Sequence, residues 1–323
     1  MSPAIFGHDT LKEYAMDRSR RKMFAASVSV VTAVSLALLK LVVGLLTGSM
    51  AVLASAIDSL LDILMSGVNF FAIRQAEQPA DESHPFGHGK YETLATMIQA
   101  LVISASGGWI IFESVRRLQS GVVISKVGGG IVVLAISAVV SWFITRYLRR
   151  VGTEVDSSAL QADSLHFAMD VYTNLALMLG LLLLNWFDAP WLDPTLSLLV
   201  GLYILYEALK LIRRGLGDVL DEELPAHVRE QVLGLIDLHK GDLLDVHNLR
   251  TRRAGSQKIM DFHLTVCKHL SVEQAHTLAD HLEQRIQQEI AGADVTIHIE
   301  PCLRTDCPGR EACQADSSRH QRR

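Results

Sequence analysis

Long apolar runs broken by short polar bridges fill the chain from about residue 23 to 212. From 213 onward the pattern changes to the 3.6- and 2-residue periodicities of a soluble domain. The first run, "MFAASVSVVTAVSLALLKLVVGLL" at 23–46, exceeds the roughly 20 residues that cross a bilayer as a helix. A polar segment precedes it and no small-residue cleavage pattern follows, so it reads as a span rather than a cleaved signal. The pattern predicts six spans, at 23–47, 50–74, 91–114, 126–147, 157–187 and 190–212. The second and fifth carry acids and a histidine along one stripe; the others are more uniformly apolar.

Beyond the spans, "PAHVREQVLGLIDLH" (225–239) has helical spacing, with Pro225 suited to a first helical position. "DLLDVHNLRTRR" and "KIMDFHLTVCK" alternate as half-buried strands about a turn near Gly255. "SVEQAHTLADHLEQRIQQEI" (271–290) is a second helix with Ser271 as its N-cap, and "DVTIHIEP" a last short strand. The expected fold class is an α-helical membrane protein: a six-helix transmembrane bundle followed by an α-β-β-α-β open-faced sandwich of the ferredoxin/metallochaperone type. Residues 1–22 form an N-terminal segment, 23–212 the six-span membrane domain, 213–301 the soluble domain and 302–323 a disordered, Cys-containing tail.

Charge orients these segments. Arg18, Arg20, Arg21, Lys22, Arg74, Lys90, Arg146, Arg149, Arg150, Lys210, Arg213 and Arg214 fall on one side, against Arg116, Arg117 and Lys126 on the other. The positive-inside bias therefore places both termini in the cytoplasm. The net charge of –5 argues against a nucleic-acid partner. The four cysteines, Cys267, Cys302, Cys307 and Cys313, are then expected as reduced thiols.

The chemistry lies in the amphipathic spans. Asp58 and Asp62 are four residues apart on one helix face, and His166 and Asp170 repeat that spacing in the fifth span. Each ionised acid at mid-bilayer costs roughly 2.5–3.5 kcal/mol even on the lenient insertion scale. Adjacent buried carboxylates also repel unless a cation sits between them. Three carboxylates and one imidazole make a four-ligand oxygen/nitrogen shell suited to Zn2+ or a similar divalent ion. The alternative is a protonated, hydrogen-bonded dyad or acids reaching to an interface. Asp163, three residues before His166, reads either as a gating residue or as an interfacial acid at a helix start.

"IDSLLDI", "QPADESHPFGHGKYETL", "ADSLHFAMDVYTN" and "DVLDEELP" together resemble the cation diffusion facilitator family, over about residues 15–301. Asp-x3-Asp paired with His-x3-Asp is similar to the bacterial zinc/iron-efflux branch. The resemblance implies a homodimeric exporter in the bacterial inner membrane that exchanges divalent metal for protons by alternating access. Zn2+ (or Fe2+, Cd2+, Mn2+) is then both substrate and regulatory ligand, and no organic cofactor is implied. Asp81, His84 and His88 have spacing that can wrap one ion or belong to a solvated loop; the resemblance implies a second metal there. It also implies a charge contact of Lys90 with Asp221 at the dimer junction. A two-ion site in the soluble domain is implied at His247, His263, His276 and His298, bridged by Glu300. There the chain departs from the family pattern, with Glu300 for the commoner Asp and Asn248 beside His247. Cys267 reads as a small core residue, and the remaining thiols match no zinc-finger spacing.

Two other functions compete. A membrane metal sensor would bind without transporting, and an exporter dedicated to Fe2+ or Mn2+ would use the same donors. An intramembrane hydrolase is disfavoured, since neither H-E-x-x-H nor G-x-S-x-G occurs.

Overall fold

The structure, a computed structural model of the chain, describes residues 5–47, 50–120, 131–187, 191–237, 244–303 and 305. Asp17–Val219 form one compact unit and the chain from Leu220 another. The first contains α1 (Ile5–Thr47) from Asp17 onward, α2 (Met50–Ala76), α3 (Lys90–Ser120), α4 (Ile131–Glu154), α5 (Ser158–Phe187) and α6 (Leu192–Val219). Two helices outrun their apolar segments: α1 starts well before residue 23, and α6 continues through "LIRRGLGDV" to Val219. Hydropathy marks where lipid would end, whereas a helix ends where hydrogen bonding or a breaker stops it. No Gly or Pro interrupts residues 8–43. Part of the fourth expected span, with Lys126, lies outside the described residues, as do 188–190 in the turn before α6.

Among the described residues, four segments are long and apolar enough to span a membrane: Met16–Leu46, Ser55–Ala76, Lys90–Ser120 and Pro194–Val219. Their outward surface is apolar, with Leu38, Leu45, Leu46, Leu60, Phe71 and Trp109 all exposed. A soluble protein rarely shows so much apolar surface. The inside is different. Ala25, Ala26, Ala33, Ile73, Leu148, Leu160 and Phe167 form an apolar core, yet Ser29, Ser59, Ser66, Asn69, Gln99 and Asp163 are also fully buried. With no hydrophobic force between helices in lipid, small residues set the approach distance. At the α3–α6 crossing, a Cβ on Gly107 would lie 3.2 Å from Ile204 Cγ2, and one on Gly201 3.0 Å from Ile111 Cγ1.

The second unit has α7 (Ala226–Asp237), β1 (Asp245–Ala254), β2 (Gln257–Val266), α8 (Val272–Glu289) and β3 (Ala293–Pro301). β2 is central, antiparallel to β1 and parallel to β3. Alternation along β2 turns Met260, Phe262, Leu264 and Val266 to a core completed by Val228, Val232, Leu282 and Ile286 of the helices. Ser271 caps α8 in a capping box with Gln274. β1 is irregular, with its register shifting between His247 and Arg250. Asn248 supplies the left-handed residue there, at φ 54°. The extra residue lets Val246 and Leu249, three apart, both pack on the core.

Gly201→Ala is expected to destabilise the helical unit by about 1–3 kcal/mol, because the added methyl meets two isoleucines in a crossing with no slack. Thermal unfolding of the detergent-solubilised protein checks this, and an unchanged midpoint would refute the close-packed crossing.

Candidate metal centres

In the helical unit, α2 carries Asp58 and Asp62 and α5 carries His166 and Asp170. His166 is buried, and its Nε2 lies 2.9 Å from Asp62 Oδ1. With the carboxylate accepting, Nε2 carries the hydrogen, while the buried Nδ1 has no hydrogen-bond partner. Asp170 is half-buried and Asp58 exposed. The structure thus brings together one pair of the four residues. Among the described residues, three or more His, Cys, Asp or Glu ligand atoms lie within 4.8 Å of one another at two other places only. Asp170 nevertheless lies within electrostatic range of Asp62, His166 and Asp58.

A lysine missed by the sequence reading stands beside this pair. Lys40 is buried and its Nζ donates to Ser59 Oγ at 2.7 Å, next to Asp58 in sequence. Its signal was present, since it is the lone charge in the run 23–46.

Asp163 is fully buried, which removes the interfacial reading. Its carboxylate accepts from the Ser29 and Ser66 hydroxyls and from Gln99 Nε2. Further toward the end of the bundle that bears the α2–α3 connection lies a charged network. Lys22, 2% exposed, contacts Glu77 and lies 3.1 Å from Glu92, itself 1% exposed. Ser157 donates to the other Glu92 oxygen at 2.9 Å, and Thr96 to Ser158 at 3.0 Å. Arg21 contacts Glu154, which Arg150 also holds at 2.8 Å. Lys22 is therefore a tie between α1, α3 and the residue following α2, as well as one of the positive residues beside the first span.

The α2–α3 connection gathers Asp81, His84 and His88. Asp81 Oδ1 accepts from the backbone N–H groups of Ser83 and His84 at 2.9 and 2.6 Å, and lies 3.2 Å from His84 Nδ1. Its other oxygen lies 3.4 Å from His88 Nε2. Gly87, at φ 76°, makes the turn that sets the two rings 4.5 Å apart. His88 Nδ1 faces the Pro79 carbonyl at 3.1 Å. A carbonyl can only accept, so that nitrogen holds the hydrogen and Nε2 keeps a lone pair facing Asp81. This donor set fits a divalent transition metal. The His84 backbone N–H, more than any other group, holds the Asp81 carboxyl below its ordinary range.

On the sheet, register aligns three histidines in one row: His247 opposite His263, and His263 beside His298. They occupy the face away from the helices, because Phe262 and Leu264 take the other. Glu300 lies two residues beyond His298 on the same face. Its Oε1 lies 2.8 Å from His263 Nδ1 and its Oε2 3.3 Å from His247 Nε2, so one carboxylate bridges two rings. His298 stands 3.8 Å from Glu300. His276 is not brought in. It lies on α8, which packs over the opposite sheet face, and its exposed ring pairs with Asp280 at 3.6 Å.

Asp221, at φ 57°, lies 3.4 Å from Arg252, and Lys90 opens α3. Cys267 is buried and Cys302 half-buried, both as free thiols; Cys307 and Cys313 lie outside the described residues.

Comparison with known proteins adds three observations. Family models for the cation efflux transmembrane domain and the cation efflux protein cytoplasmic domain match residues 26–220 and 224–302. The chain is 34% identical over 289 residues to the cation-efflux pump FieF of Shigella flexneri serotype 5b, covering 89% of this chain and 96% of that one. It is 36% identical over 278 residues to FieF of Serratia proteamaculans, covering 86% and 92%. A solved structure of CzrB in a Zn form is 43% identical over 25% of this chain and 92% of its own, with a TM-score of 0.24.

Because Asp81 stays ionised as pH falls, acid release of metal from this loop should follow imidazole protonation instead. Zn2+ affinity measured from about pH 8 to pH 5 should weaken roughly 10–100-fold in Asp81→Asn while the slope of log Kd against pH, the number of protons displaced per ion, stays the same. A changed slope would contradict the assignment.

Proposed function

Because the chain belongs to the cation diffusion facilitator family of cation-efflux transporters, we propose that it exports Zn2+ from the cytoplasm in exchange for protons. Fe2+, Cd2+ and Mn2+ are further substrates that three oxygens and one nitrogen discriminate against only weakly. The substrate is held by Asp58, Asp62, His166 and Asp170. The observation that carries this reading is the 2.9 Å contact of His166 Nε2 with Asp62. That nitrogen spends its hydrogen on the carboxylate that a metal would also use. Metal and hydrogen are therefore exclusive at that atom: an ion at Nε2 sends the hydrogen to the vacant Nδ1, and a proton leaves the shell wherever the imidazole or a carboxylate carried a further one before the ion arrived. The group titrates as a unit, so the exchanged proton belongs to the shell rather than to His166 alone.

In this reading six helices span the inner membrane with both termini cytoplasmic, and their rocking about a fixed site gives alternating access. The Asp81, His84 and His88 loop and the His247, His263 and Glu300 face, with His298 at its edge, bind cytoplasmic metal as regulators. The soluble domain, from about residue 213, joins two copies, with Lys90 and Asp221 at the junction.

The test is pH-gradient-driven uptake of Zn2+, Fe2+ and Mn2+ into proteoliposomes. Wild type should carry Zn2+, and Asp62→Ala and His166→Ala should each lower flux by about 10²-fold or more. Flux of Fe2+ or Mn2+ alone would make it an exporter dedicated to that ion. No flux of any metal, with tight binding retained, would make it a sensor.

A further inference from the structure

Asp163 is the most deeply enclosed acid of the helical unit, and neither metal shell uses it. Four helices meet around it: α1 brings Ser29, α2 brings Ser66 and Asn69, α3 brings Gln99, and α5 the acid itself. Ser29 Oγ lies against Asp163 Oδ2 and 3.0 Å from Ser66 Oγ. Ser66 Oγ and Gln99 Nε2 lie 3.4 and 3.3 Å from Asp163 Oδ1. Asn69 donates through Nδ2 to Gln99 Oε1 at 2.6 Å, while its Oδ1 is buried without a hydrogen-bond partner.

Three features of this arrangement suit a cation. The hydrogen-bond partners of the carboxylate, Ser29, Ser66, Gln99 and Asn69, are all neutral, and His166, which lies within electrostatic range, is already paired with Asp62, although a buried acid without a bonded counter-charge costs several kcal/mol. An amide oxygen in a residue 1% exposed is left unsatisfied, a state native interiors rarely tolerate. And the position lies on the transport axis. Asp163 is three residues from His166 and Ser66 four from Asp62, a displacement of about 5 Å along both helices, toward the α2–α3 connection.

The geometry points to a second cation site, built from Asp163, Ser29, Ser66, Asn69 and Gln99, which a divalent metal ion occupies on its way from the cytoplasm to the His166–Asp62 pair. The inference rests on the export reading above. A carboxylate, two hydroxyls and the Asn69 amide oxygen, with Gln99 orienting the acid and the amide through its own hydrogen bonds, hold Zn2+ less tightly than a shell with an imidazole, so the ion pauses here and is passed on. An asparagine would remove the buried charge and keep one accepting oxygen, with a serine hydroxyl turning to accept from its N–H2 group.

The experiment measures initial Zn2+ flux against Zn2+ concentration on the cytoplasmic face of the full-length protein in proteoliposomes. Asp163→Asn should raise KM about tenfold or more, with a smaller fall in kcat. Asp163→Glu should recover part of that loss, and the unfolding midpoint of Asp163→Asn should equal or exceed that of wild type. Ser66→Ala, which removes one oxygen and keeps the carboxylate, should raise KM by a smaller factor. An unchanged KM in Asp163→Asn overturns the site, as does a lowered unfolding midpoint with both acid variants equally impaired. A pH profile of kcat displaced while KM stays fixed would make Asp163 a proton carrier instead. Absence of flux in wild type would overturn the export reading itself, whereas a normal wild type with an unaffected Asp163→Asn overturns this inference alone.

Discussion

A charge inside a helical bundle that faces lipid must find a partner within the protein, because water is not there to solvate it. That constraint organises the described residues of the unit Asp17–Val219. Lys22 sits between Glu77 and Glu92, Asp163 accepts from two serines and a glutamine, His166 meets Asp62, and Lys40 meets Ser59. Together the four groupings join α1, α2, α3 and α5. The apolar contacts around them set how closely the helices approach. The polar contacts set which arrangement of helices is allowed.

In the export reading proposed above, such partnerships are also exchangeable: either member of the His166–Asp62 contact trades the other for a metal ion. Asp58 lies exposed while the acid network around Asp163 is shut away, so the surroundings of the pair differ on its two sides. A bundle in which each buried ion has two acceptable partners can hold two conformations at similar energy. A fully apolar core of the same shape would have no reason to move.

The soluble unit solves a different problem with strand geometry. Its helices cover one face of a three-stranded sheet, leaving the other free for polar side chains. On that free face the register of β1, β2 and β3 places three imidazoles in a row, and Glu300 reaches two of them with separate oxygens. The irregularity at Asn248 matters here. It keeps Val246 and Leu249 on the core and leaves His247 able to face Glu300. Asparagine, which accepts a left-handed backbone at small cost, suits that place better than a β-branched residue.

Periodicity alone determined a great deal about this protein: the helical segments, the order of helices and strands in the soluble domain, the Ser271 cap, and the i, i+4 spacing that puts His166 and Asp62 on faces able to meet. These are local properties, set by pitch and pleat, and a string of residues contains them. Tertiary structure decided what depends on partners far apart in sequence. Asp163 read either as a gating residue or as a helix-start acid, because nothing near it in the chain announces Ser29 or Gln99. Lys22 read as a topology marker until Glu77 and Glu92 closed on it. His276 stands on α8, within reach of Asp280, because that helix packs on the sheet face opposite His263. In each case the side chain's role was fixed by which helix or sheet face arrived beside it, and that is a property of packing.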